Sequence, residues 1–402
     1  MTPVPDDVRA RLHERTTQLW AADGVVDLGI GQPQDAILPV DVLSAAMAAT
    51  AASGRPHPLQ YGIEPGDGDL RVAVSDYLEP HYGFCPDPEA AFVTNGNSQA
   101  IDLVVGTLTE PGDVVLVEEA TYFLALDIFA NHHVRVVPVA VDEGGIVPDA
   151  LEEALRAHRP KLVYVVPSFH NPTGATLDDR RRERVVALAA EHGALVVADE
   201  VYHLLSAPAP GQDPLPGNGS VMPRPMAAWA PSGAVLSLGT FSKILAPGLR
   251  LGWVHTSPDL ARRLAMRGFV VSGGGLNPLV CAVVARSLAD GSAAAYLGRL
   301  RGILGGRAAA MDAALREHLP ADVMWATPGG GYFFWLRVPA DVDLTVLRAA
   351  AQRAGVDFRP GTLFSVDGGQ TDRLRLSFAY YDEETIVRAV AALGRAFATV
   401  RG

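Results

Sequence analysis

Short runs that are apolar at every position constrain this chain more than anything else in it. Leu162-Val163-Tyr164-Val165-Val166 and Leu195-Val196-Val197-Ala198 offer no polar face at all. A strand with one wet face alternates, so continuous runs of this kind read as strands buried on both faces. That demands a mostly parallel sheet with helices packed on either side. The pattern predicts strands at 91–94, 113–117, 134–139, 161–166, 194–198, 234–238 and 251–255. Helical spacing falls between many of them, near 98–108, 122–131, 149–158 and 178–192. With 402 residues, 49% of them hydrophobic, the chain is long enough for such a core and a further domain.

Around this frame the reading is coarser. Residues 1–24 look like a polar helix, 39–53 and 70–82 like two more. Val25-Val26-Asp27-Leu28 reads as a short strand entering Gly29-Ile30-Gly31-Gln32-Pro33. That Gly-x-Gly has neither the third glycine nor the following helix of a dinucleotide fingerprint. It is a turn or a substrate-contacting loop. Residues 207–233 are rich in Pro and Gly and read as an irregular surface loop. Residues 258–318 are largely helical, broken at Ser272-Gly273-Gly274-Gly275. The last part, 322–402, mixes strands (324–326, 332–337, 374–378) with helices (343–354, 382–398), an α+β unit smaller than the first.

Charge and composition exclude several roles. The net charge is −12, and Arg180-Arg181-Arg182 and Arg262-Arg263 are short solvated faces, so nucleic acid is not an expected partner. Two cysteines, Cys85 and Cys281, fit a reducing compartment without disulfide stapling. No Cys/His spacing matches a metal site, and His132-His133 read as surface residues. The polar N-terminus lacks a signal-peptide core, and no apolar run approaches a membrane span. The expectation is a soluble cytoplasmic protein without a membrane partner.

Chemistry gathers at the strand ends, where open α/β sheets bind ligands. Five ends carry polar or aromatic residues: 94–99, Tyr122, Asn171, Asp199 and 240–243. Thr240, Ser242 and Lys243 follow one buried strand, with Arg250 seven residues on. Hydroxyls and a guanidinium suit a phosphate. A lysine whose pKa is lowered by burial or a neighbouring cation suits a Schiff base. Each end alone reads as a cap or a turn; five converging on one crevice do not.

The order Thr94-Asn95-Gly96-Asn97-Ser98-Gln99, Thr121-Tyr122-Phe123, Asn171-Pro172-Thr173-Gly174, Ala198-Asp199-Glu200-Val201-Tyr202, Thr240-Phe241-Ser242-Lys243, Gly248–Trp253 and Arg373–Ala379 resembles the class I/II aminotransferases. These are fold type I enzymes that use pyridoxal 5′-phosphate, and the resemblance covers nearly the whole chain. It implies an α/β fold: a large domain (46–285) with a mostly parallel seven-stranded sheet, and a small C-terminal domain (286–402) joined by the N-terminal segment (1–45). By the same resemblance Lys243 forms the Schiff base and shuttles the α-proton. Asp199 pairs with the pyridine nitrogen. Asn171 and Tyr202 bond the ring's phenolic oxygen, and Tyr122 stacks on the ring. The turn at Asn97-Ser98, with Thr240, Ser242 and Arg250, holds the phosphate; which of Asn97, Ser98 or Gln99 is the side-chain donor stays open. Arg375 grips the substrate carboxylate, with Gly31 and Asn171 beside it. Tyr61 reaches across a homodimer interface to the partner's phosphate.

The resemblance implies transfer of an amino group between an L-amino acid and a 2-oxo acid. The alternative is elimination, replacement, cyclisation or carbon–carbon bond formation on the same cofactor, including on a bulky substrate such as S-adenosylmethionine. The effector domain of a transcription regulator is a third reading, disfavoured by the acidic chain. His170, beside Asn171, reads as a packed neighbour. Phe333, Phe334 and Trp335 are candidates for an apolar wall. Gly273–Gly275 and Gly329–Gly331, with the 207–233 loop, raise the expectation of a pocket enlarged by missing side chains; hinges are the competing view.

Overall fold

The computed structural model describes residues 24–207 and 222–401. In chain order its strands are β1 (Val26–Asp27), β2 (Ala91–Thr94), β3 (Val114–Glu118), β4 (Arg135–Val139), β5 (Val141–Asp142), β6 (Gly145–Ile146), β7 (Leu162–Val165) and β8 (Leu195–Asp199). They continue with β9 (Val235–Thr240), β10 (Gly252–His255), β11 (Phe333–Arg337), β12 (Val356–Asp357), β13 (Arg359–Pro360) and β14 (Arg373–Ser377).

Seven of these make one sheet in the order β2-β10-β9-β8-β7-β3-β4. Only β10 runs antiparallel to its neighbours. Both faces of the inner strands are dry, as the continuous runs require. From β7, Leu162 and Tyr164 enter one core with Val115 and Val117 of β3. Val163 and Val165 enter the opposite core with Val114 and Leu116. Helices Asn97–Leu108, Phe123–Asn131, Pro148–His158 and Asp179–Glu191 follow the strands where the spacing put them.

A second, antiparallel sheet has the order β11-β14-β13, and helices Leu344–Arg353 and Glu383–Arg401 pack on each other and on β12. Near it β1 pairs in parallel with β12, which ties the N-terminal segment to the far end of the chain. The fold is that of the α/β type I transferases.

Several expectations need correction. Of the 207–233 stretch, Met226–Ser232 forms a 3-10 helix. Met226, Ala227 and Ala230 are buried, and the Glu200 carboxylate accepts from the first two backbone N–H groups. The apolar content of Met-Ala-Ala-Trp-Ala outweighs the flanking prolines. The expected helix at 1–24 lies outside the described residues, apart from Gly24. Ser272 and Gly273 belong to the helix Gly268–Gly273, and only Gly274 and Gly275, both at positive φ, break it. The strand expected at 324–326 is reduced to a single bridge, Met324 to Arg337.

Within the two glycine runs, Gly274, Gly275, Gly330 and Gly331 are tightly packed, whereas Gly273 meets nothing within 4 Å. A Cβ on Gly330 would stand 2.3 Å from the Leu205 carbonyl oxygen, and one on Gly331 would stand 2.6 Å from Phe169 Cβ. Gly274 and Gly275 lie as closely against the backbone of Gly62 and Ile63. These glycines permit close approach of backbone to backbone and backbone to ring. These four glycines therefore give no motive for an enlarged pocket.

Candidate active site

Parallel strands aim their carboxyl ends at one edge of the sheet, and the expected residues meet there. A cavity of about 160 Å³ is lined by Gly31, Asn97, Ser98, Tyr122, Asn171, Asp199, Tyr202, Thr240, Ser242, Lys243, Arg250 and Arg375. Tyr61 does not line it: the side chain is 77% exposed on the surface.

Lys243 lies one turn into the short helix Phe241–Ile244, whose N-cap is the Thr240 hydroxyl accepting from Ser242 N–H. Its Nζ donates to the Gly31 carbonyl at 2.8 Å. The amine also lies 5.3 Å from the ring centre of Tyr332 and 5.9 Å from that of Tyr202. Burial, then the nearby Arg375 guanidinium, brings its pKa down from 10.5 to about 8. Such a lysine is a usable amine near neutrality.

Asp199 ends β8 with both oxygens engaged. Asn97 Nδ2 donates to Oδ1 at 2.6 Å, and the Tyr164 hydroxyl donates to Oδ2 at 2.7 Å. Burial raises the carboxyl, and these two bonds hold part of that rise back. Of the three candidates for the side-chain phosphate donor, Asn97 is turned to Asp199. Gln99 is likewise turned away, accepting from Asn95 N–H. Ser98 is left as the exposed hydroxyl at this helix start. Tyr164 was missed from sequence; its signal was a hydroxyl inside an otherwise aliphatic strand.

Arg375, on β14, donates from Nη1 to Asn171 Oδ1 and from Nη2 to the Gly29 carbonyl, both at 2.7 Å. The guanidinium is sandwiched between Phe333, 4.0 Å from the ring centre, and Phe364, 4.8 Å away. Burial lowers its pKa to about 9. Its Nε is buried without a partner. Phe333 lines the cavity; Phe334 faces the core against Phe378, and Trp335 packs on Phe364. Tyr122 borders the cavity at the start of its helix, with burial raising its hydroxyl to about 12. His170 is buried on Glu118 at 2.9 Å, a packed neighbour.

The donor set fits pyridoxal phosphate. Arg250, with the Ser98, Thr240 and Ser242 hydroxyls, lies at one part of the cavity wall. A Cβ on Gly96 would stand 3.1 Å from Arg250 Nη2, so the glycine leaves that guanidinium room. A buried carboxylate and a softened lysine complete the set. Fold and cavity together define a lysine-dependent pyridoxal-phosphate enzyme.

Comparison with known proteins is in accord. The family model for aminotransferase class I and II matches residues 23–393. An aromatic-amino-acid aminotransferase of Thermococcus litoralis is 30% identical over 94% of this chain and 88% of its own. A 2-aminoadipate transaminase of Thermus thermophilus is 31% identical over 97% and 94%. Among solved structures, a multiple substrate aminotransferase of Thermococcus profundus superposes with a TM-score of 0.86 at 28% identity, covering 100% of this chain and 96% of that one. The chain belongs to the class I and II aminotransferase family. It is a pyridoxal-phosphate-dependent transferase that moves amino groups, and the alternative chemistries are not favoured.

Proposed function

We propose that this enzyme exchanges the amino group of an L-amino acid with a 2-oxo acid, using Lys243 as the proton carrier and Arg375 as the carboxylate receptor. The observation that carries the reading is Lys243 Nζ held near pKa 8 in the same cavity as Asp199 and Arg375. The cofactor, when bound, supplies the electron sink for breaking the α-C–H bond. This chain's residues do the rest.

Asp199 offers a negative charge for the pyridine nitrogen, oriented by Asn97 and Tyr164. Asn171 and Tyr202 would hydrogen-bond the ring's phenolic oxygen and Tyr122 would stack on the ring, since all three line the cavity. Ser98, Thr240, Ser242 and Arg250 would take the phosphate. Gly31 and Arg375 receive the substrate carboxylate, and the aromatic walls around Arg375 exclude water, which strengthens that ion pair. With the cofactor bound, Lys243 Nζ would take the α-proton of the substrate, held in place by its approach to the Gly31 carbonyl.

A homodimer with shared sites accompanies this reading. Tyr61 is exposed beside Leu59 (79% exposed) and Ile63, and its segment lies against Gly274 and Gly275, which follow the exposed Met266, Phe269 and Val271. A contiguous apolar surface of this kind supports burial against a second copy. The β1–β12 pairing supports a small domain in which the described part of the N-terminal segment joins 286–402. Among the described residues no single helix is long and apolar enough to cross a membrane.

The test is a single-turnover reaction of purified holoenzyme with a panel of amino donors. One 2-oxo acid released per cofactor converted to its amine form is the expected result. Ammonia release without that conversion would instead indicate elimination.

A further inference from the structure

Arg359 and Asp27 take no part in the reading above, yet Arg359 lines the same cavity. It stands directly opposite Arg375 across the β13–β14 pair, so the two side chains leave the same face of the sheet. Their partners differ. Asp27, at the end of β1, accepts from Arg359 Nη1 at 2.8 Å and from Nη2 at 2.7 Å. Arg375 meets only neutral acceptors, Asn171 Oδ1 and the Gly29 carbonyl.

Gly29 joins the two arrangements. Its N–H donates to Asp27 Oδ1 at 2.8 Å while its carbonyl accepts from Arg375. A buried carboxylate therefore stands one residue away from the carboxylate receptor, within reach of its field: Asp27 raises the Arg375 pKa and Arg359 lowers it. A buried acid without a partner seeks a cation, and the interaction is strong where water is excluded. With Arg359 absent, the cations in the field of Asp27 are Arg375 and Arg348, and Arg348 is already paired with Asp357 at 2.7 Å, which leaves Arg375.

We propose that Arg359 is a positioning residue that sequesters Asp27, keeping Arg375 open to the substrate's α-carboxylate. The inference rests on the reading of Arg375 as that receptor. Gly29 serves the arrangement by lacking a Cβ, which would stand 2.5 Å from Arg359 Nη1. The competing account is a strut: the ion pair merely fastens β1 to the sheet.

The test compares Arg359→Gln, the double variant Asp27→Asn/Arg359→Gln and wild type, all as holoenzyme. Melting temperature, visible absorbance, kcat and KM for one amino donor and one 2-oxo acid are measured. Sequestration predicts that Arg359→Gln raises both KM values about tenfold with kcat nearly unchanged, the signature of lost uniform binding. Removing the acid in the double variant brings both KM values back to within about threefold of wild type. A strut predicts lower melting temperatures with unmoved KM, or a double variant no better than Arg359→Gln; either overturns the proposal. If Arg359→Gln does not fold, Arg359→Met keeps the packed stem and the same comparison applies. Arg375→Lys is the control. If its KM does not rise, the receptor reading fails; if it rises while Arg359→Gln is silent, only sequestration fails.

Discussion

Lys243 is softened by the same burial that shelters the reaction, and this fixes a pH dependence. Its pKa of about 8 leaves the amine mostly protonated at pH 7 and neutral above pH 8. Loading of cofactor-free protein needs the neutral amine. The uptake rate should climb about tenfold per unit below pH 8 and level off above it. Replacing Arg375 by Met removes a neighbouring positive charge, which favours the ammonium, so the midpoint should move up toward 10.5. Stopped-flow absorbance across pH 6–10 measures both. Lys243→Ala should lose the visible band altogether, and a borohydride-reduced peptide map should place the cofactor on Lys243 and not on Lys161, the other lysine. Asp199→Asn should keep cofactor but lower kcat by roughly 10²-fold or more. Tyr164→Phe removes one donor that holds the Asp199 pKa down, so the acid limb of the kcat profile should move to higher pH. A hydrogen bond to a charged group is worth about 1.5 kcal/mol, so kcat should fall about tenfold.

At the scale of elements, the site is a set of strand ends stitched to the small sheet. Ser206 bridges Gly330, and Gly331 N–H donates to the Leu205 carbonyl. Gly330→Ala would drive a Cβ to within 2.3 Å of that carbonyl. It should cost about 1–3 kcal/mol in denaturant unfolding by overpacking, and its activity loss should be the same for large and small donors. The inner strands of the large sheet were readable because burial on both faces writes an unbroken apolar run; edge strand β4 has Arg135 exposed and only Val139 fully buried. β12 and β13 were not, since two-residue strands show no period and owe their existence to partners far along the chain. The same reason hid the Asp27–Arg359 pair. Lys243, Asp199 and Arg375 stood out through their motifs. The turn of Asn97 toward Asp199 depended on a rotamer that no spacing encodes.

For the molecule as a whole, the proposed homodimer is tested at Tyr61. If it serves the partner's phosphate, Tyr61→Phe and Lys243→Ala subunits fail for different reasons in different sites. Mixed dimers should then hold one intact site and recover up to half of wild-type activity per dimer; mixed dimers that form and stay inactive would place Tyr61 outside the neighbouring site. One feature of the fold also sets a timetable for synthesis. Asp27 and Arg359 are 332 residues apart, and β1 has its pairing partner only at β12. At about 5–20 residues per second, the early strand waits roughly 17–66 s on the ribosome for its neighbour. The large sheet, complete by β10, is finished well before that. The nascent enzyme therefore acquires its cofactor cradle first and its substrate receptor last, and a chain stalled before β12 should capture cofactor yet be unable to turn over an amino acid.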